Sequence, residues 1–153
     1  MSLDSVSCNM SGKTFEHRLR IYFEDTDAGG IVYHANYLRY FERARGELLR
    51  ELGYAQNAML GGELPLIVVS RVEMNFRRPA RIDDLLVVKT RIAKLRKASV
   101  VFTQTIERES GELLIEASIR CAAVDPKAGG PVLLGETIES ALAPLVWREQ
   151  ICA

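Results

Sequence analysis

Apolar and polar residues alternate along five stretches of the chain, each long enough to form a β-strand. The stretches cover residues 15–23, 66–77, 85–93, 99–107 and 113–124, and their period of two predicts strands that bury one face. In the first, the predicted buried side consists of Phe15, His17, Leu19, Ile21 and Phe23. In the second, one face is expected to carry Leu66, Val68, Ser70, Val72, Met74 and Phe76, of which the last two join Phe102 in the core.

Between the first two stretches, the apolar residues change to the spacing of an amphipathic helix. The residues Tyr37, Phe41, Ala44, Leu48 and Leu52 recur at intervals of three or four, which places them on one helix face. Asn36 is an acceptable N-cap, and Gly53 is an acceptable residue to follow the helix end. We therefore expect one long helix between these two residues. Near the C-terminus, residues 138–146 predict a second, short helix.

The order of one strand, a long helix and four strands predicts an α+β protein with one antiparallel sheet. Short turns join the later strands, so these strands should pair as a meander with the helix on one face. One helix covers only part of such a sheet, and long strands leave an unpaired edge, so self-association through sheet edges is expected. We expect a single domain over residues 14–153, preceded by a flexible tail over residues 1–13.

The composition argues against several classes of protein. The 153 residues are 48% hydrophobic and 26% charged, which are ordinary values for a folded domain with a substantial core. Basic and acidic residues are balanced at 20 each, so charge gives no argument for binding nucleic acid. Cys8, Cys121 and Cys152 have neither metal-binding nor disulfide spacing. Because there is no signal peptide and no apolar run of about eighteen residues, we expect a cytoplasmic protein that does not insert into membranes.

The densest cluster of candidate chemistry lies between the first strand and the long helix. Asp25 and Asp27 are followed by Gly29-Gly30 and His34, just before the predicted helix start. A carboxylate that faces a helix N-terminus can act on an acyl group whose carbonyl is polarised by backbone N–H groups. From the residues alone, Asp27 is equally well explained as a turn residue that bonds its own backbone. A structural hydrogen-bonding role is the more frequent explanation for a lone histidine such as His34.

Other kinds of site find less support in the sequence. No further histidine or cysteine cluster accompanies Asp25, Asp27 and His34, so no metal is expected. The glycine pair fits neither phosphate-loop pattern, and no serine occupies a GxSxG turn. Basic residues cluster at residues 77–81 and 94–97. Solvated turns explain these clusters best, unless the protein handles a nucleotide-bearing thioester whose phosphates they would bind.

The block from Tyr22 to Tyr37, with the D-x-D-x-G-G-[IV]-V-Y-H pattern inside it and YFERAR after it, is a specific signal. It resembles the 4-hydroxybenzoyl-CoA thioesterase branch of the hotdog superfamily, in particular the acyl-CoA thioesterases associated with the bacterial Tol-Pal system. The resemblance implies a hotdog fold, a curved antiparallel sheet wrapped around one long helix, which assembles as a dimer or a dimer of dimers. It also implies hydrolysis of acyl-CoA thioesters without a metal or an organic cofactor.

The same resemblance implies roles for individual residues. Asp27 matches the family's catalytic aspartate, which acts as nucleophile or general base, and His34 falls where a backbone N–H helps to polarise the thioester carbonyl. Gly30 and Tyr33 belong to the same block and are expected to bind the substrate. Arg77, Arg78, Arg96 and Lys97 are the candidates for contacts with the phosphates of CoA. The alternative function is a non-catalytic protein that binds acyl-CoA or acyl-carrier protein.

Overall fold

The computed structural model describes residues 9–11, 14–54, 57 and 60–147, which contain one antiparallel sheet. Its strands are β1 (Asn9–Ser11), β2 (Thr14–Arg20), β3 (Leu66–Phe76), β4 (Leu85–Leu95), β5 (Ser99–Arg108) and β6 (Leu113–Val124). Their order is β1-β2-β4-β5-β6-β3, and every neighbouring pair is antiparallel. The predicted α+β class is confirmed. The strands do not form a simple meander, because β3 lies at the far edge beside β6 and not next to β4.

The long helix α1 (Asn36–Glu51) lies where the sequence predicts it, and it packs on β2 and β4. Its most buried apolar residues are Tyr37, Tyr40, Phe41, Ala44 and Leu48. The helix ends before Gly53, whose φ of 93° favours glycine. The predicted N-cap is wrong, because Ala35 holds that position and no side chain caps it. The Asn36 side-chain amide donates instead to the Asp25 carbonyl oxygen at 2.9 Å.

The first strand ends earlier than its alternation of residues suggests. β2 stops at Arg20, and Phe23 begins a single 3-10 turn (Phe23–Asp25) with its side chain 81% exposed. The prediction that Phe23 belongs to the buried face is therefore wrong. The physical reason is the carboxylate of Asp25, because its Oδ2 accepts the Tyr22 backbone N–H at 2.8 Å and turns the chain out of the strand.

Strand β3 departs from its prediction because it contains a bulge and lies at the edge of the sheet. The register shifts between Val69 and Arg71, so Ser70 is an extra residue and the side chains before it change faces. The side that faces the helix layer therefore carries Ile67, Val69, Val72, Met74 and Phe76, which pair with buried residues of β6. Phe76 is 54% exposed, so its assignment to the core is wrong. Met74 is partly buried and packs against the core, and Phe102 is buried as predicted. The helix α1 packs mainly on β2 and β4 and meets β3 through the contact of Tyr37 with Phe76, while Val69, Val72 and Phe76 stay partly exposed.

Two shorter segments complete the described chain. The predicted C-terminal helix is α2 (Glu136–Leu142), which begins slightly earlier than expected and continues into a 3-10 turn (Ala143–Leu145). Residues 9–11 of the predicted tail form β1 against β2, and the rest of that tail lies outside the described residues. Within the described ranges, no helix is long and apolar enough to cross a membrane.

Candidate active site

A tight hairpin turn presents Asp27 between the 3-10 turn and α1. The Asp27 N–H donates to the Ile31 carbonyl at 2.9 Å, and the Gly30 N–H donates to the Asp27 carbonyl at 3.0 Å. Gly30 has a φ of 76°, a conformation that most other residues resist. A β-bridge from Ile31 to Arg81 ties the turn to the segment after β3. The glycine that the sequence places here is therefore a requirement of the turn backbone.

The carboxylate of Asp27 is exposed, and one of its oxygens is engaged within the turn. Oδ1 accepts the Gly29 N–H at 2.8 Å. Asp27 is therefore a turn residue that bonds the neighbouring backbone, which is one of the two explanations that the sequence allows. A Cβ at position 29 would lie only 3.1 Å from that oxygen. No hydrogen bond from the described part of the chain reaches Oδ2. The turn and catalytic interpretations are therefore compatible, since one oxygen fixes the side chain and the other stays available.

Asp25 connects the base of this turn to the start of α1. Its carbonyl oxygen accepts both the Tyr33 N–H and the Asn36 side-chain amide, each at 2.9 Å. Its carboxylate accepts the Tyr22 N–H, as described above. The hairpin and the helix N-terminus therefore share one hydrogen-bonded framework.

His34 lies immediately before the N-cap of α1. Its exposed ring packs at a tilt against the ring of Tyr33, with 4.6 Å between the ring centroids. The backbone N–H groups of His34 and Ala35 donate to no acceptor among the residues that the structure describes. Unpaired N–H groups at the positive end of a helix are suited to stabilise a developing oxyanion.

A mostly apolar groove of about 340 Å³ opens beside His34. Its lining includes Val32, Tyr37, Phe76 and Ile115. The rings of Tyr37 and Phe76 have centroids 6.0 Å apart, and the Tyr37 hydroxyl accepts the Ala80 N–H at 3.0 Å. Burial is the main cause that raises the pKa of Tyr37, against the lowering effect of its hydrogen bond with the Ala80 N–H. Ile31, whose carbonyl oxygen accepts the Asp27 N–H, also lines the groove, so the groove adjoins the Asp27 turn. Sequence patterning assigns both aromatic residues to the core, so it misses the groove.

The structure separates the predicted basic residues into two groups. Arg77 and Arg78 line the groove beside His34, where they form ion pairs with Glu116 and Glu112. A different depression of about 270 Å³, on the opposite side of the sheet, is lined by Arg71, Lys94, Arg96 and Arg120. Lys97 is exposed in the same β4–β5 turn. This chain alone therefore brings Arg77 and Arg78, but not Arg96 and Lys97, to the groove.

Comparison with known proteins identifies the family. The pattern of the thioesterase superfamily matches residues 29–115. The chain is 41% identical over 129 residues to the acyl-CoA thioester hydrolase YbgC of Escherichia coli, which covers 84% of this chain and 96% of that protein. It is 38% identical over 127 residues to the acyl-CoA thioesterase YbgC of Haemophilus influenzae, with 83% and 93% covered.

A solved structure agrees with this result. The probable thioesterase from Bartonella henselae superposes with a TM-score of 0.76 at 38% identity, covering 80% of this chain and 99% of that one. The fold that the resemblance implies, a curved antiparallel sheet with one long helix, is thereby confirmed. With its matched region, its relatives and its architecture all in agreement, this chain belongs to the thioesterase superfamily and has the hotdog fold.

Proposed function

We propose that this protein hydrolyses acyl-CoA thioesters to a carboxylic acid and free CoA. The observation that carries the proposal is the exposed Asp27 carboxylate, fixed by one oxygen in a turn that is bonded to the N-terminus of α1. An apolar groove for an acyl group adjoins this turn, since Ile31 and His34 line it. The relatives from Escherichia coli and Haemophilus influenzae, both named for acyl-CoA thioester hydrolysis, support the same reaction.

The reaction follows from the placement of these groups. With the acyl group against Tyr37 and Phe76, the thioester carbonyl would accept hydrogen bonds from the N–H groups of His34 and Ala35. As the carbonyl carbon is attacked, the helix N-terminus stabilises the oxyanion that forms. In one route, Asp27 removes a proton from water, the water oxygen attacks the carbonyl carbon, and the C–S bond then breaks as CoA leaves and takes the proton from Asp27. In the other, the carboxylate attacks directly, CoA leaves as the thiolate, and water then hydrolyses the mixed anhydride.

The substrate-binding residues extend this proposal. Gly30 shapes the turn and Tyr33 packs on His34, so both support the acyl end of the site. For the phosphates of CoA we propose Arg77, Arg78, Arg96 and Lys97. No carboxylate of the described chain pairs with Arg96 or Lys97, whereas the other two are already ion-paired. Acyl-carrier protein is the alternative carrier of the acyl group, the cytoplasm is the proposed location, and no cofactor takes part.

A dimer or a dimer of dimers is the proposed assembly. Among the residues that the structure describes, strand β3 pairs only with β6, so its outer edge offers unpaired backbone groups to a second copy. The apolar side chains of Val69, Val72 and Phe76 are 47%, 37% and 54% exposed on the helix side of this edge strand. A second copy paired there would cover these side chains and would extend the groove in which Phe76 lies.

The experiment that tests the function measures thiol release from a panel of acyl-CoA substrates by the wild type and Asp27→Asn. The substitution keeps the size of the side chain but removes its charge, so kcat should fall about 100-fold or more. Asp125→Asn is the matched control, because Asp125 also fixes a turn through its Oδ1 but lies outside the groove. Unchanged kcat in Asp27→Asn would overturn the proposal. Tight binding of acyl-CoA by a wild type that releases no thiol would favour the non-catalytic alternative.

A further inference from the structure

Asp25 is a carboxylate of the same loop to which the proposed reaction gives no part. It lies two residues before Asp27. Asp25 is half-buried at the base of the hairpin, whereas Asp27 is exposed in the turn. The groove beside His34 does not include it. A side chain that contacts no substrate can still influence the reaction by holding the groups that do.

The contacts of Asp25 join three segments of the site. Through Oδ2 it accepts the N–H of Tyr22, at the exit from β2, at 2.8 Å. Through its carbonyl oxygen it accepts the N–H of Tyr33 at 2.9 Å, and Tyr33 directly precedes His34. The same oxygen accepts the amide of Asn36, the first residue of α1, at 2.9 Å. One residue therefore links the strand exit, the far side of the hairpin and the helix N-terminus.

Tyr40 supplies a fourth connection, from one turn further along α1. Its side chain is only 1% exposed, and its hydroxyl has no hydrogen bond of ordinary geometry among the described residues. Tyr40 follows Asn36 by one helical turn, and the Asn36 amide bonds Asp25, so the Tyr40 ring lies on the face of α1 that meets this residue. Burial is the main cause that raises the pKa of the Tyr40 hydroxyl, and the Asp25 carboxylate raises it further. A buried hydroxyl is rarely left without a partner, and a carboxylate is the acceptor at hand.

We propose that Asp25, with the Tyr40 hydroxyl as its donor, is a positioning residue for thioester hydrolysis. It holds the Asp27 turn in register with the N–H groups of His34 and Ala35, so that attacking group and oxyanion donors meet at one carbonyl. The inference rests on the proposed function. An aspartate suits this position because its side chain offers two acceptor oxygens, one for the Tyr22 N–H and one for the Tyr40 O–H, whereas an asparagine keeps only one of them.

The first test compares kcat and KM for one acyl-CoA substrate in Asp25→Asn and Tyr40→Phe. Each variant should lose about tenfold in kcat with KM nearly unchanged, because misplacement weakens the reacting geometry more than substrate binding. Asp125→Asn and Tyr54→Phe are matched controls, since the Tyr54 hydroxyl bonds Thr137 outside the groove. Both controls should keep wild-type kcat. A kcat within twofold of wild type in both site variants would overturn the proposal.

The second test separates positioning from a merely structural role. In an Asp27→Asn background, Asp25→Asn should cause a smaller loss of kcat than it does alone, because the attacking group that it positions is already inactive. In a Tyr40→Phe background, Asp25→Asn should cost less than it does alone, because the acceptor oxygen that it removes has already lost its donor. Additive losses in both backgrounds, or a fall in thermal midpoint that accounts for the lost activity, would contradict positioning.

A third measurement needs no activity and tests the contact itself. The carboxyl carbon of Asp25 in a 13C spectrum should change its chemical shift in Tyr40→Phe and keep it in Tyr54→Phe. An unchanged chemical shift in Tyr40→Phe would show that the Tyr40 hydroxyl does not bond the Asp25 carboxylate, which would contradict this part of the proposal. Failure of the proposed function would be recognised differently. In that case Asp27→Asn would release thiol at the wild-type rate, independently of the kcat measured for the Asp25 variants.

Discussion

At the scale of single residues, the sequence identifies the hairpin block, and the family resemblance singles out Asp27 within it, but neither predicts a role for Asp25. The structure shows Asp25 half-buried at the base of the turn and Asp27 exposed. The difference arises from long-range contacts, because the partners of Asp25 come from the strand exit and from α1. Local propensity does describe Gly30 well, because glycine adopts a positive φ without help from distant contacts.

His17 is a residue whose effect on stability depends on pH. It lies on β2 and is 7% exposed, and its Nδ1 has no hydrogen-bond partner in the described part of the chain. Burial lowers the pKa of His17, and the charge of Arg43 adds to this while that of Glu47 opposes it. As pH falls below the unfolded value of about 6.5, the unfolded chain takes up a proton that the folded chain resists. The contribution to stability is therefore present above that pH and is lost as pH falls toward the folded pKa.

The prediction for His17 is a difference between two urea-unfolding curves. Between pH 7.5 and pH 5.5, the wild type should lose more free energy of unfolding than His17→Gln, with a limit of about 1.4 kcal/mol per pH unit. The glutamine variant is the control because it cannot take up a proton in this range. Identical pH dependence in the two proteins would show that His17 does not carry the effect.

At the scale of elements, the sequence predicts which segments are strands and helices. It does not predict features of a segment that depend on its contacts with other elements. The alternation of residues 66–77 is correct as a strand, but the bulge at Ser70 and the edge position of β3 depend on pairing with β6. A polar residue on a buried face is a similar case. Gln104 alternates with Phe102 and Ile106, and its full burial becomes meaningful only when its partners from α1 and β4 are seen.

Gln104 ties α1 to the sheet, which gives a prediction for stability. Its amide oxygen accepts from Arg45 at 2.9 Å, and its amide nitrogen donates to the Phe41 carbonyl at 3.1 Å and to the Thr90 hydroxyl at 2.8 Å. Gln104→Leu would leave these buried groups without their partner and should cost about 2–4 kcal/mol in the free energy of unfolding. Thr103→Val, at the exposed neighbouring position, should change it by less than about 1 kcal/mol. A loss in Gln104→Leu no larger than in this control would contradict the role.

The β4–β5 turn carries the prediction for CoA binding. Neutralising Arg96 and Lys97 together should raise KM for acyl-CoA and leave kcat nearly unchanged, because phosphate contacts contribute equally to ground and transition state. The effect should shrink at high salt, since exposed charges are screened. An acyl-N-acetylcysteamine thioester, which lacks the nucleotide, is the control substrate. An equal loss on both substrates would return these residues to the role of solvated turn charges.

At the scale of the whole molecule, one chain leaves its apolar surface incomplete. The helix α1 packs mainly on β2 and β4, so the helix side of β3 stays partly exposed within the described chain. The groove beside His34 reaches this partly exposed strand through Phe76. Covering β3 and completing the acyl site are therefore the same event in the proposed assembly. Because the long strands leave an unpaired edge, the sequence predicts self-association. It does not predict that the groove lies at that edge, since this depends on the pairing of β3 with β6 at the end of the sheet.

The last prediction concerns Val72, in the middle of the exposed stripe on β3. The wild type should behave in light scattering as at least twice its chain mass of 17.1 kDa. Val72→Arg should shift it to the monomer, because a buried and unpaired guanidinium opposes association, and thiol release should fall with the dimer fraction. Thr103→Arg is the matched control, since Thr103 is exposed on the opposite side of the sheet and should leave mass and activity unchanged. A monomeric Val72→Arg with full activity would show that one chain holds a complete site. A dimeric Val72→Arg would show that association uses another surface.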